Sequence, residues 1–260
     1  MQRRFAIPIA LLLAALLGAG VAQGELTQSN GLRVAFDGGF TPHALPRYRP
    51  APVTVHIAGS IGTASGSPPP QLRRIAFAIN RHGRLFTRGL PTCPVGLLQS
   101  TTTRAALARC RAALVGRGSF GADVDFPTLS LIPVRGRLLA FNSRDGGRPE
   151  ILLHLYVSSP AQVTFVLPFK ATAGRGAGAF GTVLTANIPK IAGDLGYVTE
   201  VNLKIGRRYS YQGRPRSLFS ASCAAPPGFP GAIFNFAKGS FYFANGQQLT
   251  TTLTRDCRVR

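Results

Sequence analysis

The sequence predicts an all-β fold, an antiparallel β-sandwich with one short helix tethered by a disulfide. The chain contains 30 glycines and 20 prolines in 260 residues, which favours turns over long helices. Short runs rich in β-branched and aromatic residues alternate apolar with polar positions, as half-buried strands do. Four cysteines, an even number, indicate a fold that is held together by disulfides.

Two hairpins and a central strand are the clearest β elements. Val53–Ile57 alternates apolar with polar side chains, and residues 151–157 are apolar on both faces, which predicts a central strand. Asp145-Gly146-Gly147 predicts the turn of one hairpin. Asn245-Gly246 predicts the turn of the last hairpin, because this pair readily adopts the positive φ values of a type I′ turn.

One helix is expected after residue 100. Ser100–Thr103 offers hydroxyl groups that can accept hydrogen bonds from unpaired backbone N–H groups at a helix start. Leu107, Cys110 and Leu114 then recur at helical spacing, and Gly116 predicts the helix end. This register places Cys110 on the apolar face of the helix.

The four cysteines allow three disulfide connectivities. Proximity along the chain favours Cys93–Cys110 and Cys223–Cys257. We expect no metal at these residues, because their spacings differ from the C-x-x-C pattern that zinc sites use. Free thiols are the remaining alternative.

The N-terminus has the pattern of a secretory signal peptide, assigned to residues 1–22. Met1–Arg4 is positively charged, Phe5–Leu17 is apolar, and small residues precede Ala22. We predict cleavage after Ala22, which leaves no transmembrane span and gives a protein that is secreted or held at the extracytoplasmic cell surface. A cut after Gly24 and retention of the leader as an anchor are the alternatives.

The remaining chain divides into two parts by composition. Residues 23–50 have few apolar runs and several prolines, which predicts a partly ordered N-terminal arm with one candidate strand at Leu32–Phe36. Residues 51–260 form the predicted sandwich region. An approximate internal repeat raises the alternative of two related lobes, about 51–167 and 168–260.

The chain is strongly basic, with 30 Lys and Arg against nine Asp and Glu, a formal net charge of +21. Removal of Arg3 and Arg4 with the leader takes this from +21 to +19. Such a field attracts anionic cell-wall polymer, nucleic acid or acidic lipid headgroups. The competing explanation is codon usage, because 26 of the 30 cations are arginines.

The best candidate binding segment is a basic, aromatic turn at residues 206–216. Arginine pairs with phosphate through two parallel hydrogen bonds, and tyrosine can stack on sugars or bases. A similar basic turn occupies residues 81–88. The alternative is a solvated hairpin edge whose charge discourages sheet-to-sheet aggregation. The candidate residues are Arg207, Arg208, Tyr209, Tyr211, Arg214 and Arg216.

No catalytic residue or cofactor is assigned. Residues 176–181 match the pattern G-x-G-x-x-G, but a strand-like run follows where a dinucleotide site needs a helix, so we expect no nucleotide cofactor. Asp123 and Asp125 alternate along one strand and could act as an acid–base or Ca²⁺ pair, but a solvated strand face or ion pairs with arginine account for them better. His154 is expected as a hydrogen-bonded histidine of the central strand.

Several short motifs resemble uncharacterised exported proteins of high-GC Gram-positive bacteria, over most of residues 50–260. The resemblance implies export and a β-rich fold, and it carries no activity. The motifs are Leu72–Ile75, Arg88–Cys93, Phe180–Thr182 followed by Ile188-Pro189, and the closing hairpin between its two cysteines.

Together these features predict an exported, non-enzymatic protein of the cell surface or extracellular space. Its basic loops are expected to bind anionic cell-envelope polymers or another acidic surface. A secreted hydrolase with an unrecognised site and a structural or assembly protein are the alternatives.

Overall fold

The computed structural model describes residues 24–126, 129–159, 161–174, 178–190 and 194–260. In these residues the chain forms 17 strands and one α-helix, α1 (Thr103–Cys110). The first strands are β1 (Glu25–Ser29), β2 (Leu32–Thr41), β3 (Ala44–Leu45), β4 (Ala51–Thr63), β5 (Leu72–Asn80), β6 (Gly83–Leu85), β7 (Leu114–Val124), β8 (Ile132–Asp145) and β9 (Arg148–Val157). They are followed by β10 (Val163–Ala173), β11 (Phe180–Asn187), β12 (Gly196–Ile205), β13 (Arg208–Tyr211), β14 (Arg214–Ser217), β15 (Phe219–Ala221), β16 (Gly231–Phe243) and β17 (Gln248–Val259).

Fifteen of these strands form one sheet. Its order is β1-β2-β4-β12-β7-β8-β9-β10-β11-β5-β16-β17-β3, with β15 pairing with both β4 and β6. The pairing is antiparallel except between β17 and β3, which are parallel. The predicted hairpins β8–β9 and β16–β17 are both present. The all-β, largely antiparallel fold with one short helix is therefore confirmed.

The sheet curls until β17 and β2, near its two ends, touch. Arg255 of β17 donates from Nε to the Gly38 carbonyl of β2 at 2.6 Å and forms an ion pair with Asp37. The curl turns the two halves of the sheet toward each other across one core. The ring of Phe36 on β2 stacks on Phe77 of β5 with 5.4 Å between centroids. The layers of the predicted sandwich are thus two halves of a single curled sheet.

The strand alternation builds this core. On β17, Leu249, Leu253 and Cys257 are buried, while the residues between them at 250, 252, 254, 256 and 258 are more exposed. Cys257 forms a disulfide with Cys223, which fixes β17 to the segment that follows β15. The predicted pairing of these two cysteines is present.

The central strand β9 packs on both faces, as its two-sided apolar pattern predicts. Leu153 and Leu155 join the main core inside the curl. Leu152 lies on the outer face in a second apolar cluster that includes Cys93 and Cys110. Helix α1 covers this outer face, because the predicted Cys93–Cys110 disulfide ties it there.

Helix α1 begins as its hydroxyl residues predict and ends earlier than expected. The Thr102 side chain accepts a hydrogen bond from the Ala105 amide at 3.2 Å, which caps the first turn. The helix stops at Cys110 and a single 3-10 turn follows. Gly116, the expected helix end, lies in β7 instead, where Leu114 and Gly116 pair with β8.

Residues 23–50 were expected to form a partly ordered arm, and the structure places most of them in the sheet instead. All ten residues of β2 pair with β4. Leu32, Val34 and Phe36 alternate toward the core and are almost fully buried. The prolines that suggested an arm follow this strand and do not interrupt it.

The proposed lobes 51–167 and 168–260 do not separate in the described sheet. Strand β12 lies between β4 and β7, and β5 lies between β11 and β16. Strands from both halves of the sequence therefore alternate around a shared core.

The expected signal peptide, residues 1–22, and part of the G-x-G-x-x-G segment lie outside the described residues. Within the described ranges, no helix has the length and apolar content needed to cross a bilayer.

Candidate functional site

The basic segment 206–216 forms a two-stranded hairpin that is separate from the large sheet. β13 and β14 pair with Tyr209 opposite Arg216 and Tyr211 opposite Arg214. The turn residues Gln212 and Gly213 have φ values of 51° and 69°. Positive φ at both central residues matches the twist of a hairpin, which explains the glycine at this position.

The structure brings the two predicted basic turns together. The Tyr209 hydroxyl lies 2.9 Å from the Arg88 carbonyl oxygen and 3.2 Å from that of Phe86. The Phe86 amide donates to the Leu218 carbonyl at 2.9 Å, just after β14. The Arg216 guanidinium sits 5.2 Å from the centre of the Phe86 ring. Segments more than 120 residues apart in sequence thus form one surface.

We call the exposed cations of this surface the arginine face. They come from both turns and have side chains open to solvent. Among the residues that the structure describes, none of them forms an ion pair with an acidic side chain. The name covers Arg84, Arg88, Arg208, Arg214 and Arg216. On the hairpin, Arg214 and Arg216 share the side of the two tyrosines, and Arg208 lies on the other side.

The two tyrosines share one strand face, as their alternation predicts, but this face packs against the other turn. The Tyr211 ring lies edge-on to Phe86 at 6.3 Å between centroids. It also covers Gly89, whose φ is +81° and where a Cβ atom would come within 2.1 Å of the ring. Burial raises the pKa of Tyr209. The tyrosines therefore hold the two turns together, and the proposed stacking of a ligand on them does not match this packing.

Arg207 also has a structural role that differs from the ligand contact first considered. Its guanidinium donates to the Leu114 carbonyl at 3.1 Å and to the Ala112 carbonyl. These bonds tie the start of the hairpin to the segment after α1. Arg207 is accordingly half-buried and stands apart from the arginine face.

Several acidic residues of the described chain are engaged elsewhere. Asp194 binds Arg73 and Lys190 at 2.7 and 3.0 Å, and these two cations lower its pKa. Asp145 binds Lys170 at 2.8 Å. The acids in these pairs therefore bind cations outside the arginine face.

The histidine and the aspartate pair considered for catalysis do not converge. His154 lies on the outer face of β9, fully buried, with Nε2 3.0 Å from the Thr101 carbonyl oxygen. This matches the expected hydrogen-bonded strand histidine, and burial lowers its pKa. Strand β7 ends at Val124, so Asp125 follows the strand and does not continue the alternation of Asp123. Within the described ranges, no three His, Cys, Asp or Glu side chains form a metal-binding group.

Phe86 is the site residue that sequence reasoning missed. Its ring and carbonyl contact Tyr209, Tyr211 and Arg216, so it links both turns. The only signal available was its place inside the basic turn 81–88. The site therefore presents exposed guanidinium donors on a backbone of paired strands. Comparison with known protein families, curated proteins and solved structures found no match to this chain.

Proposed function

We propose that the protein is an exported, non-enzymatic binding protein that holds phosphate-rich anionic polymers of the cell envelope on its arginine face. The observation that carries this proposal is the convergence of two basic turns through the Tyr209 hydroxyl. Five exposed arginines belong to these two turns, which are built from paired strands.

The disulfides support the export part of the proposal. Paired cysteines persist in oxidising compartments and are rare in the cytosol. Both predicted bridges, Cys93–Cys110 and Cys223–Cys257, are present, and the described residues contain no free cysteine. An oxidising environment therefore allows both disulfides of this fold to form.

The support beneath the arginine face explains how it could favour a polymer over a single small anion. Arg208 and Arg214 stand on a paired hairpin, and Arg84 lies on β6, which β15 joins to the large sheet. Holding the charges on strands reduces the entropy lost when a polymer binds. Each guanidinium can form two parallel hydrogen bonds with one phosphate group. A chain of repeating phosphates can therefore engage several arginines at once.

Polyphosphate of defined length is the probe that tests this proposal. The triple variant Arg208→Gln, Arg214→Gln and Arg216→Gln removes three charges from the arginine face. The matched control removes three exposed charges from β7 and β8 through Arg117→Gln, Arg135→Gln and Arg137→Gln. Both variants have the same net charge, so a difference between them reports location.

We expect the face variant to bind polyphosphate at least about tenfold more weakly than the control in a filter or calorimetric assay. The slope of its log affinity against log salt concentration should be smaller in magnitude by about 2, since each lost phosphate contact contributes about 0.7 to the slope for a single-stranded polyanion. Equal losses in the two variants would contradict the proposal, because they would mean that total charge alone drives binding.

A further inference from the structure

A second feature, unrelated to the basic surface, is a cavity inside the curled sheet. Its volume is about 180 Å³. Several apolar side chains point inward on β4, β5, β11 and β12 but are only half-buried, because they border empty space. These side chains are Val55, Ile57, Ile75, Phe77, Leu184 and Val201.

The size of the cavity suits a small apolar molecule. An engineered apolar cavity of about 150 Å³ stays dry and binds benzene, which has six carbon atoms. In proportion, 180 Å³ has room for about seven carbon atoms. A wall of Ile, Leu, Val and Phe side chains offers no partner for a buried water, so an apolar ligand is the natural occupant.

Two neighbouring strands of the cavity wall separate at one end of their shared ladder, and we infer that the cavity reaches the protein surface there. The pairing between β4 and β12 stops at Ser60 and Glu200. Beyond this point in the described chain, Ile61 of β4 pairs toward β2, while Val198 of β12 pairs toward β7. Both residues line the cavity, and β12 carries a bulge beside them. The end of the shared ladder leaves an opening between β4 and β12.

The cavity wall is almost entirely apolar, and the polar residues next to it belong to this end of the ladder. Among the described residues of the wall, only Ser60, Thr199 and Glu200 have polar side chains. Ser60 and Glu200 lie opposite each other and are exposed, so they flank the outer side of the opening. A hydroxyl group that reaches this side can exchange hydrogen bonds with Ser60. The Glu200 carboxylate, which is exposed, repels an anionic end group at the same place.

We propose that this cavity binds an apolar molecule of about six to eight carbon atoms whose single uncharged polar end stays at the opening between β4 and β12. The site is independent of the arginine face, because none of the five arginines lines it. Either proposal can therefore fail without the other.

The test uses 1-heptanol and heptanoate as probes in isothermal titration calorimetry. We expect 1-heptanol to bind with one-to-one stoichiometry and heptanoate to bind at least about tenfold more weakly, a factor equal to about 1.4 kcal/mol at 25 °C. Val201→Phe fills the cavity and should abolish the heat of 1-heptanol binding. Val163→Phe is the matched control, since Val163 is exposed on β10 and does not line the cavity.

Two further variants keep the proposal testable if Val201→Phe does not fold. Val201→Ala enlarges the cavity and should shift the preference from 1-heptanol toward 1-nonanol. Glu200→Gln should raise heptanoate binding several-fold and leave 1-heptanol binding unchanged. No binding of 1-heptanol to the wild-type protein would overturn the proposal, as would equal binding by Val163→Phe and a folded Val201→Phe. If the wild-type protein bound heptanoate and 1-heptanol equally, the claim that the ligand has an uncharged polar end would be wrong.

Discussion

Removing the Cys223–Cys257 disulfide should cost this protein a large part of its stability. The bridge joins residues 34 apart and fixes β17, the strand whose Arg255 contacts β2 across the curl. In the chain-entropy model, cross-linking a loop of this length removes about 12.6 cal/mol/K from the unfolded state, or about 3.8 kcal/mol at 25 °C. The Cys93–Cys110 bridge spans 17 residues, for which the same relation gives about 3.1 kcal/mol.

The measurement is urea unfolding of the wild type and of two double variants, Cys223→Ala/Cys257→Ala and Cys93→Ala/Cys110→Ala. Alanine is chosen because all four cysteines are buried and a hydroxyl at these positions would lack a partner. We expect both variants to lose about 3 to 4 kcal/mol, with the larger loss for the longer loop. An unchanged unfolding midpoint in either variant would refute the reasoning, because it would mean that the bridge does not restrict the unfolded chain.

Two further predictions concern single buried side chains. Arg255→Met should lower the free energy of unfolding by about 2 kcal/mol, because it removes the bonds to Gly38 and Asp37 that hold β17 against β2. Chemical unfolding measures this change. An unchanged free energy of unfolding would contradict the role of Arg255 in holding the two strands together. Burial lowers the pKa of His154, so below the ordinary histidine pKa of 6.5 the unfolded chain binds more protons than the folded one. Stability should therefore fall as the pH drops below about 6.5, by at most 1.4 kcal/mol per pH unit from this residue, and His154→Gln should remove that part of the slope. A slope identical in the wild type and His154→Gln would contradict this assignment.

Local patterns predicted the local elements of this fold. The hairpins β8–β9 and β16–β17 follow from turn residues that lie between two alternating runs. The capped start of α1 depends on Thr102 and the Ala105 amide, three residues away. Both disulfides join neighbours along the chain, so proximity was a sufficient guide to their pairing.

Long-range features could not be derived in the same way. The order of strands in the sheet depends on contacts such as that of Arg255 with Asp37, which are 218 residues apart. Both basic turns were visible in the sequence, but their meeting depends on the Tyr209 hydroxyl reaching the Arg88 backbone, 121 residues away. The cavity is a property of many inward side chains together and has no pattern along the chain.

The misplaced N-terminal boundary has a simple physical origin. Leu32, Val34 and Phe36 alternate as in a half-buried strand and Leu32–Phe36 was a candidate strand, but the three prolines that follow favoured an arm. What makes this segment a strand is its pairing with β4, in which all ten residues of β2 have partners. Tertiary pairing outweighed the local composition.

Hydrogen–deuterium exchange with and without polyphosphate tests most directly whether the two basic turns act as one binding surface. We expect amides in residues 83–89 and 207–217 to become protected together, at the same polyphosphate concentration, while those near Arg117, Arg135 and Arg137 remain unchanged. Protection confined to one turn, or spread evenly over all basic segments, would contradict the account.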